Sequence, residues 1–222
     1  MFNSKYSKVL TVLLIIVIIG IVGTVGYFVY DMYAVKSKND KAQEIVDQFS
    51  DASIRREFDN ESKDEDGEAQ NPLDSINGME TNKEQKSEKV YMEGYEVMGT
   101  LEIPKTKVNL PILSQVTKKS LETSVAILYG VGLNQPGNTT IVGHNYRNGL
   151  FFSDNHKLSN GDVIYITDQT GTRVTYTIYD MFQTTPSDAQ YMQRDTEKAR
   201  EISLSTCNDN SKARLVILAR EK

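Results

Sequence analysis

The chain has 222 residues, 39% of them hydrophobic and 25% charged, with a formal net charge of −5, one cysteine and two histidines. A lone cysteine excludes an internal disulfide framework, and neither a second cysteine nor a His-x-x-x-His spacing is present to build a zinc site. The negative charge is concentrated in one segment, the rest of the chain sums to about +1, and nothing in that balance points to nucleic-acid binding.

The first eight residues read as a cytoplasmic tail. Residues 9–30 are apolar or small and uncharged, and as a helix they would span about 33 Å, enough for a bilayer core. The run is too long for a signal-peptide core and no A-x-A-like exit site follows, so it predicts a single transmembrane anchor. Lys5 and Lys8 precede it and Lys36, Lys38 and Lys41 follow, which leaves the orientation open on charge alone.

Residues 31–58 predict a charged, helical stalk. Within it Ala42, Ile45, Val46, Phe49, Ile54 and Phe58 form a rough helical stripe that could pack on a neighbour, although a solvated stalk helix is the default. Residues 59–94 read as an acidic, disordered spacer: 59–89 carry ten acids against four lysines and too few apolar residues to build a core.

From residue 95 onward short β-branched and aromatic runs alternate with Gly, Asn, Asp and Pro breaks. The pattern predicts strands at 99–103, 108–113, 139–142, 163–167, 173–182, 201–206 and 214–219, with short helical turns at 120–124 and 150–158. So many close-spaced strands make a mainly β domain, a barrel or a sandwich.

Three residues in this region carry chemistry. Cys207 ends a predicted strand, Asn208, Asp209, Asn210 and Ser211 are turn formers, and Arg214 begins the next strand. Directly opposed residues of such a hairpin have Cβ atoms about 5 Å apart, so thiol and guanidinium can act on one atom. Arg220 lies six residues further on, roughly 20 Å away along the strand, too far to share that site. A thiol needs ionising before it attacks, a nearby imidazolium or guanidinium favours the thiolate, and His144, just after the strand at 139–142, can supply and recover a proton. Arg214 keeps its charge and offers a rigid fork of donors, which suits stabilising an oxyanion. Taken singly, each also fits a plain role: a buried hydrophobe, a carbonyl partner, a surface charge. His156 stands in a polar context without a motif and reads as solvent-facing, Phe151 and Phe152 as core. Glu102, Asp162 and Asp188 match no ligand loop, so no metal and no cofactor is expected.

The stretches Thr140-Ile141-Val142-Gly143-His144, Leu204-Ser205-Thr206-Cys207 and Arg214-Leu215-Val216 together resemble the sortases, cysteine transpeptidases of Gram-positive surfaces. Further likeness runs through Gly99-Thr100-Leu101-Glu102-Ile103-Pro104-Lys105, Leu110-Pro111-Ile112 and Lys157-Leu158-Ser159-Asn160-Gly161-Asp162, covering 95–222. The resemblance implies a closed barrel of about eight strands. It implies Cys207 as nucleophile, His144 as general acid/base, Arg214 as oxyanion or substrate stabiliser, and Thr206 as a substrate contact. It implies cleavage of a Leu-Pro-x-Thr-Gly-like sorting signal on secreted proteins through a thioacyl enzyme, resolved by an amine of the cell-wall precursor. An extracytoplasmic catalytic domain follows, with the N-terminus inside. Leu204-Ser205-Thr206-Cys207 resembles class B, but the 184–200 segment is short for a class B insertion and neither an aromatic lid nor a C-terminal membrane helix is evident, so the subtype resembles class D or an unclassified member more. Two other functions stay open at this point: a signal-specific endopeptidase with water as acceptor, and a tethered binding module whose thiol is structural.

Overall fold

The computed structural model describes residues 4–64, 89–208 and 212–222, with side chains described from Lys8 to Ser53 and from Lys89 onward. The spacer expected at 59–94 falls largely outside the described residues, as do Asp209, Asn210 and Ser211 of the expected turn.

A helix α1 occupies Ser4–Asp64. It includes a stretch long and apolar enough to cross a membrane, with a mean hydropathy of 2.9, whose side chains are exposed. The chain divides into two compact units, Met1–Asp40 and Lys41–Lys222. In the second, the helical stripe expected from the sequence is not solvated: Ala42, Val46 and Phe49 are buried, Phe49 completely. Phe49 packs with Met92, Val97, Leu113 and Ala126, flanked by Ile45, Val90, Tyr95 and Leu121. Burying an aromatic ring of this kind contributes about 2–3 kcal/mol, more than a stalk helix could gain in water. The core of this unit therefore begins upstream of Tyr95.

Nine strands follow: β1 (Tyr91–Met92), β2 (Tyr95–Ile103), β3 (Val108–Leu113), β4 (Val125–Gly130), β5 (Gly137–Val142), β6 (Val163–Asp168), β7 (Arg173–Thr184), β8 (Arg200–Cys207) and β9 (Arg214–Glu221). Their order is β1-β2-β3-β4-β5-β8-β9-β7-β6, and β2 also pairs with β6. That last pairing closes β2 to β9 into an eight-stranded barrel, which removes the exposed edges an open sheet would leave. Gly99 sits at the bulge of β2, where a Cβ would lie 2.4 Å from the Thr167 carbonyl oxygen, so only glycine lets β6 approach.

Between β3 and β4 the short helix α2 (Lys118–Thr123) provides the crossover that their parallel pairing needs. Thr117 and Ser120 form a reciprocal capping box at its start, each side chain accepting from the other's backbone amide. Strand β4 is absent from the expected set. The expected helical turn at 150–158 contracts to one 3-10 turn, Asn155–Lys157. The barrel interior is apolar: Leu101, Ile112, Ile141, Ile166, Leu204 and Ile217 are fully buried.

Candidate active site

Strands β5 and β8 run parallel with Val142 opposite Ser205, and Gly143 continues the ladder by donating to the Ser205 carbonyl at 3.3 Å. Two residues beyond that last pair come His144 and Cys207, so the topology delivers both to one end of the barrel. On the other side β8 and β9 are antiparallel with Cys207 opposite Arg214. The guanidinium Nη1 of Arg214 donates to Cys207 Sγ at 2.9 Å. The half-buried thiol thus lies at a strand end between two neighbouring chains, one carrying an imidazole and one a fixed cation.

The backbone around His144 is fixed from several directions. Thr206 is 2% exposed and its hydroxyl donates to the Gly143 carbonyl at 2.7 Å. Asn145 Nδ2 donates to the Cys207 carbonyl at 3.2 Å, and the Phe152 amide donates to the His144 carbonyl at 3.1 Å. Gly143 has to be glycine, because a Cβ there would meet Val125 Cγ1 at 2.8 Å and the Phe152 ring at 2.9 Å, and both neighbours are fully buried. The His144 ring stacks obliquely on Tyr146, with centroids 5.1 Å apart, and Tyr146 in turn on Phe151 at 5.7 Å. Burial, and secondarily the Glu122 charge, push the Tyr146 phenol above its usual range, so it stays neutral beside the histidine.

A pocket of about 350 Å³ opens beside the thiol, lined by Asn145, Phe152, His156, Met181, Gln183, Thr206, Cys207, Asn208 and Leu215. Its mixed apolar and amide walls suit an extended peptide, whose backbone needs hydrogen-bonding partners and whose side chains need apolar contact. His144 lies next to that lining rather than in it. Exposed His156 contributes to it, with Nδ1 held 3.0 Å from the Ser153 carbonyl oxygen. Arg220 is remote from the thiol and donates to Glu201 at 2.7 Å. Glu102 pairs with Arg173, Asp162 with Lys105 and Asp188 with the Thr184 hydroxyl, so the three acids do not converge. Among the described residues no group of three His, Cys, Asp or Glu side chains is placed to hold a metal ion.

The family model for the Sortase domain matches residues 101–222, more than half of the chain. The chain belongs to the sortase family. It is 31% identical over 125 residues to Sortase A of Bacillus anthracis, a match covering 54% of this sortase and 58% of that relative's length. Among solved structures, a Clostridium perfringens Sortase D5 transpeptidase superposes with a TM-score of 0.52 at 27% identity, covering 57% of this chain and 79% of the other. Sortase C-1 of Actinomyces oris gives a TM-score of 0.53 at 23% identity and covers 57% and 74%, which places the two in one fold. Of the pocket residues, Met181 and Gln183 carry no signal in the sequence, while Asn145 adjoins the histidine motif, Asn208 is one of the turn formers and Leu215 belongs to the arginine motif.

Proposed function

We propose that this sortase is a membrane-anchored cysteine transpeptidase that attaches secreted proteins to a cell-wall amine. The observation that carries the reading is the 2.9 Å contact of Arg214 with Cys207 at the mouth of a peptide-sized pocket. The guanidinium favours the thiolate, which attacks the carbonyl of the threonine–glycine bond in a Leu-Pro-x-Thr-Gly-like sorting signal. The carbonyl oxygen becomes an oxyanion, and Arg214 is the fixed charge that stabilises it. As the carbon–nitrogen bond breaks, His144 gives its proton to the leaving glycine amine, and a thioester to Cys207 remains. The amine of a peptidoglycan precursor then attacks the thioester, His144 takes a proton from it, and the thiolate leaves. Thr206 lines the pocket and, through Gly143, holds the backbone that presents His144.

The apolar part of α1 supports a single-pass anchor. The proposed topology has residues 1–8 inside, 9–30 in the membrane and the barrel outside on a Gram-positive surface. Within the second unit, Phe49 of the stripe packs with Met92, Val97, Leu113 and Ala126.

The test is to incubate the full chain in detergent with a set of sorting peptides and to look by mass spectrometry for an acyl adduct on Cys207, with and without triglycine as acceptor. The expected result is a thioester and an amine-dependent ligated product. A hydrolysed product that triglycine does not divert would make the protein an endopeptidase, and no adduct with any peptide would leave a binding module.

A further inference from the structure

To hold a peptide backbone, the pocket beside the thiol needs hydrogen-bond acceptors as well as donors, and most of the polar groups in its wall are already engaged within the protein. Asn145 donates to the Cys207 carbonyl, and its own Oδ1 accepts from the Arg147 amide at 3.1 Å. The Thr206 hydroxyl donates to the Gly143 carbonyl. Asn208 Oδ1 accepts from the amides of Lys212 and Ala213, both at 3.2 Å, and its Nδ2 donates to Gln183 Oε1 at 3.3 Å. Among the described residues, two side-chain nitrogens of the wall have no protein partner: Nε2 of His156 and Nε2 of Gln183.

The two nitrogens differ in kind. His156 holds its ring through Nδ1, 3.0 Å from the Ser153 carbonyl oxygen. A carbonyl can only accept, so Nδ1 carries the hydrogen and, in the neutral imidazole, Nε2 carries the lone pair. Ser153 is itself fixed: it is buried, its hydroxyl accepts from the Tyr146 amide at 3.1 Å, and its amide donates to the Leu150 carbonyl at 3.1 Å. His156 is thus an acceptor held in one tautomer by a rigid neighbour. In Gln183 the bond from Asn208 marks which end of the amide is oxygen and leaves the NH2 group as a donor. Gln183 registers with Leu215, and Leu215 with Thr206, so the three form a row across β7, β9 and β8. Gln183 stands about 10 Å along that row from Thr206, roughly the length of three residues of extended chain.

We infer that His156 and Gln183 bind the backbone of the sorting peptide, His156 Nε2 accepting from one of its N–H groups and Gln183 Nε2 donating to one of its carbonyls. This rests on the transpeptidase reading above and names side chains that hold the peptide beside the thiol. An extended chain offers N–H and C=O groups in turn, so a fixed acceptor and a fixed donor set its register whatever side chains it carries. Neither residue meets the scissile bond. Their loss therefore falls on peptide binding and not on the chemistry of Cys207.

Peptide kinetics on the full chain in detergent test this. His156→Phe removes the acceptor, and KM for the sorting peptide is expected to rise about tenfold or more, with kcat and the rate of Cys207 alkylation by iodoacetamide within about threefold of wild type. His156→Gln puts an amide oxygen where Nε2 stood and is expected to keep KM within about threefold, whereas His156→Asn replaces only Nδ1 and should behave as the Phe variant does. Gln183→Glu turns the donor into an acceptor and is expected to raise KM about tenfold or more. N-methylation of the peptide, one amide at a time, locates the bond to His156: at one position the methyl group should raise the wild-type KM about tenfold and that of His156→Phe no further. An unchanged KM in His156→Phe, a loss confined to kcat, or equal methyl penalties in both proteins at every position would overturn the inference. If the wild-type protein forms no thioester, the reading of the active site has failed, and the anisotropy of a fluorescent sorting peptide decides the binding role by itself. A weaker Kd in His156→Phe would then uphold that role, and an equal one would sink it.

Discussion

Along β8, Ile202, Leu204 and Thr206 alternate with Glu201, Ser203, Ser205 and Cys207, and the two sets meet different neighbours. Leu204 registers with Ile141 and Ile217, all three fully buried in an apolar interior. Glu201, Ser203 and Ser205 are just as buried but meet hydroxyls, amides and guanidinium groups. Burial alone therefore does not separate core from site. What separates them is whether a buried side chain is satisfied by dispersion, which tolerates a change of shape, or by directed hydrogen bonds, which tolerate little.

The comparison breaks most sharply at the thiol. Cys207→Ala should lower turnover by more than about a thousandfold while leaving the melting temperature nearly unchanged, since it removes the proposed nucleophile from a half-buried position. Calorimetry alongside the peptide assay checks both halves. A retained rate would remove Cys207 from the mechanism. Next in size is Arg214→Lys, expected to cost about 10²–10³ in kcat because a point charge replaces a donor fork at the reacting centre. Arg220→Lys should stay within about threefold, because that side chain serves Glu201 and not the thiol. Equal losses would show that the Glu201 end and the Cys207 end of β8 work as one site.

On the opposite face, Leu204→Ala should reduce stability by about 2–5 kcal/mol in denaturant unfolding and leave the rate per folded molecule unaltered. The smallest effect is expected just beyond β7, at Asp188. The Thr184 hydroxyl, and after it the Gln190 amide, hold the Asp188 carboxyl below its ordinary range. A lowered folded-state value means that the contribution is full above the unfolded value near 3.9 and is lost as pH falls through the lower one. The Gln190 amide shift, followed by NMR, should accordingly titrate with a midpoint below about 3.9, and Asp188→Asn should abolish that titration.

Much of this was legible before any coordinates. The hairpin turn formers placed Cys207 opposite Arg214, and the register is the one expected. Short strand-like runs between Gly, Asn, Asp and Pro breaks locate seven of the strands. Strand β4 was missed although Val125-Ala126-Ile127-Leu128-Tyr129 is strand-like, since its two registered pairs with β3 are parallel and depend on a crossover that local sequence does not announce. Closure of β2 on β6 is likewise a long-range pairing, and only the family resemblance selects a barrel over a sandwich. The stripe at 42–49 was visible, but its partners, Met92, Val97 and Leu113, lie far along the chain. The shell of Glu201 has no signature either: Tyr179, Arg194 and Arg220 come from three separate stretches, and each reads alone as an ordinary surface residue.

The cross-strand partnership of Cys207 and Arg214 is the last rung of a ladder that begins at Glu201 and Arg220, so the rungs behind it hold it as well as the turn does. Lengthening or rewriting the hairpin tip should therefore leave sulfur and cation in partnership. Deleting one residue just after Arg214 would instead turn every later side chain of β9 through the sheet and take Ile217 off the face it shares with Leu204. Indels in this hairpin are thus sorted by position: silent at the apex, lethal a few residues away.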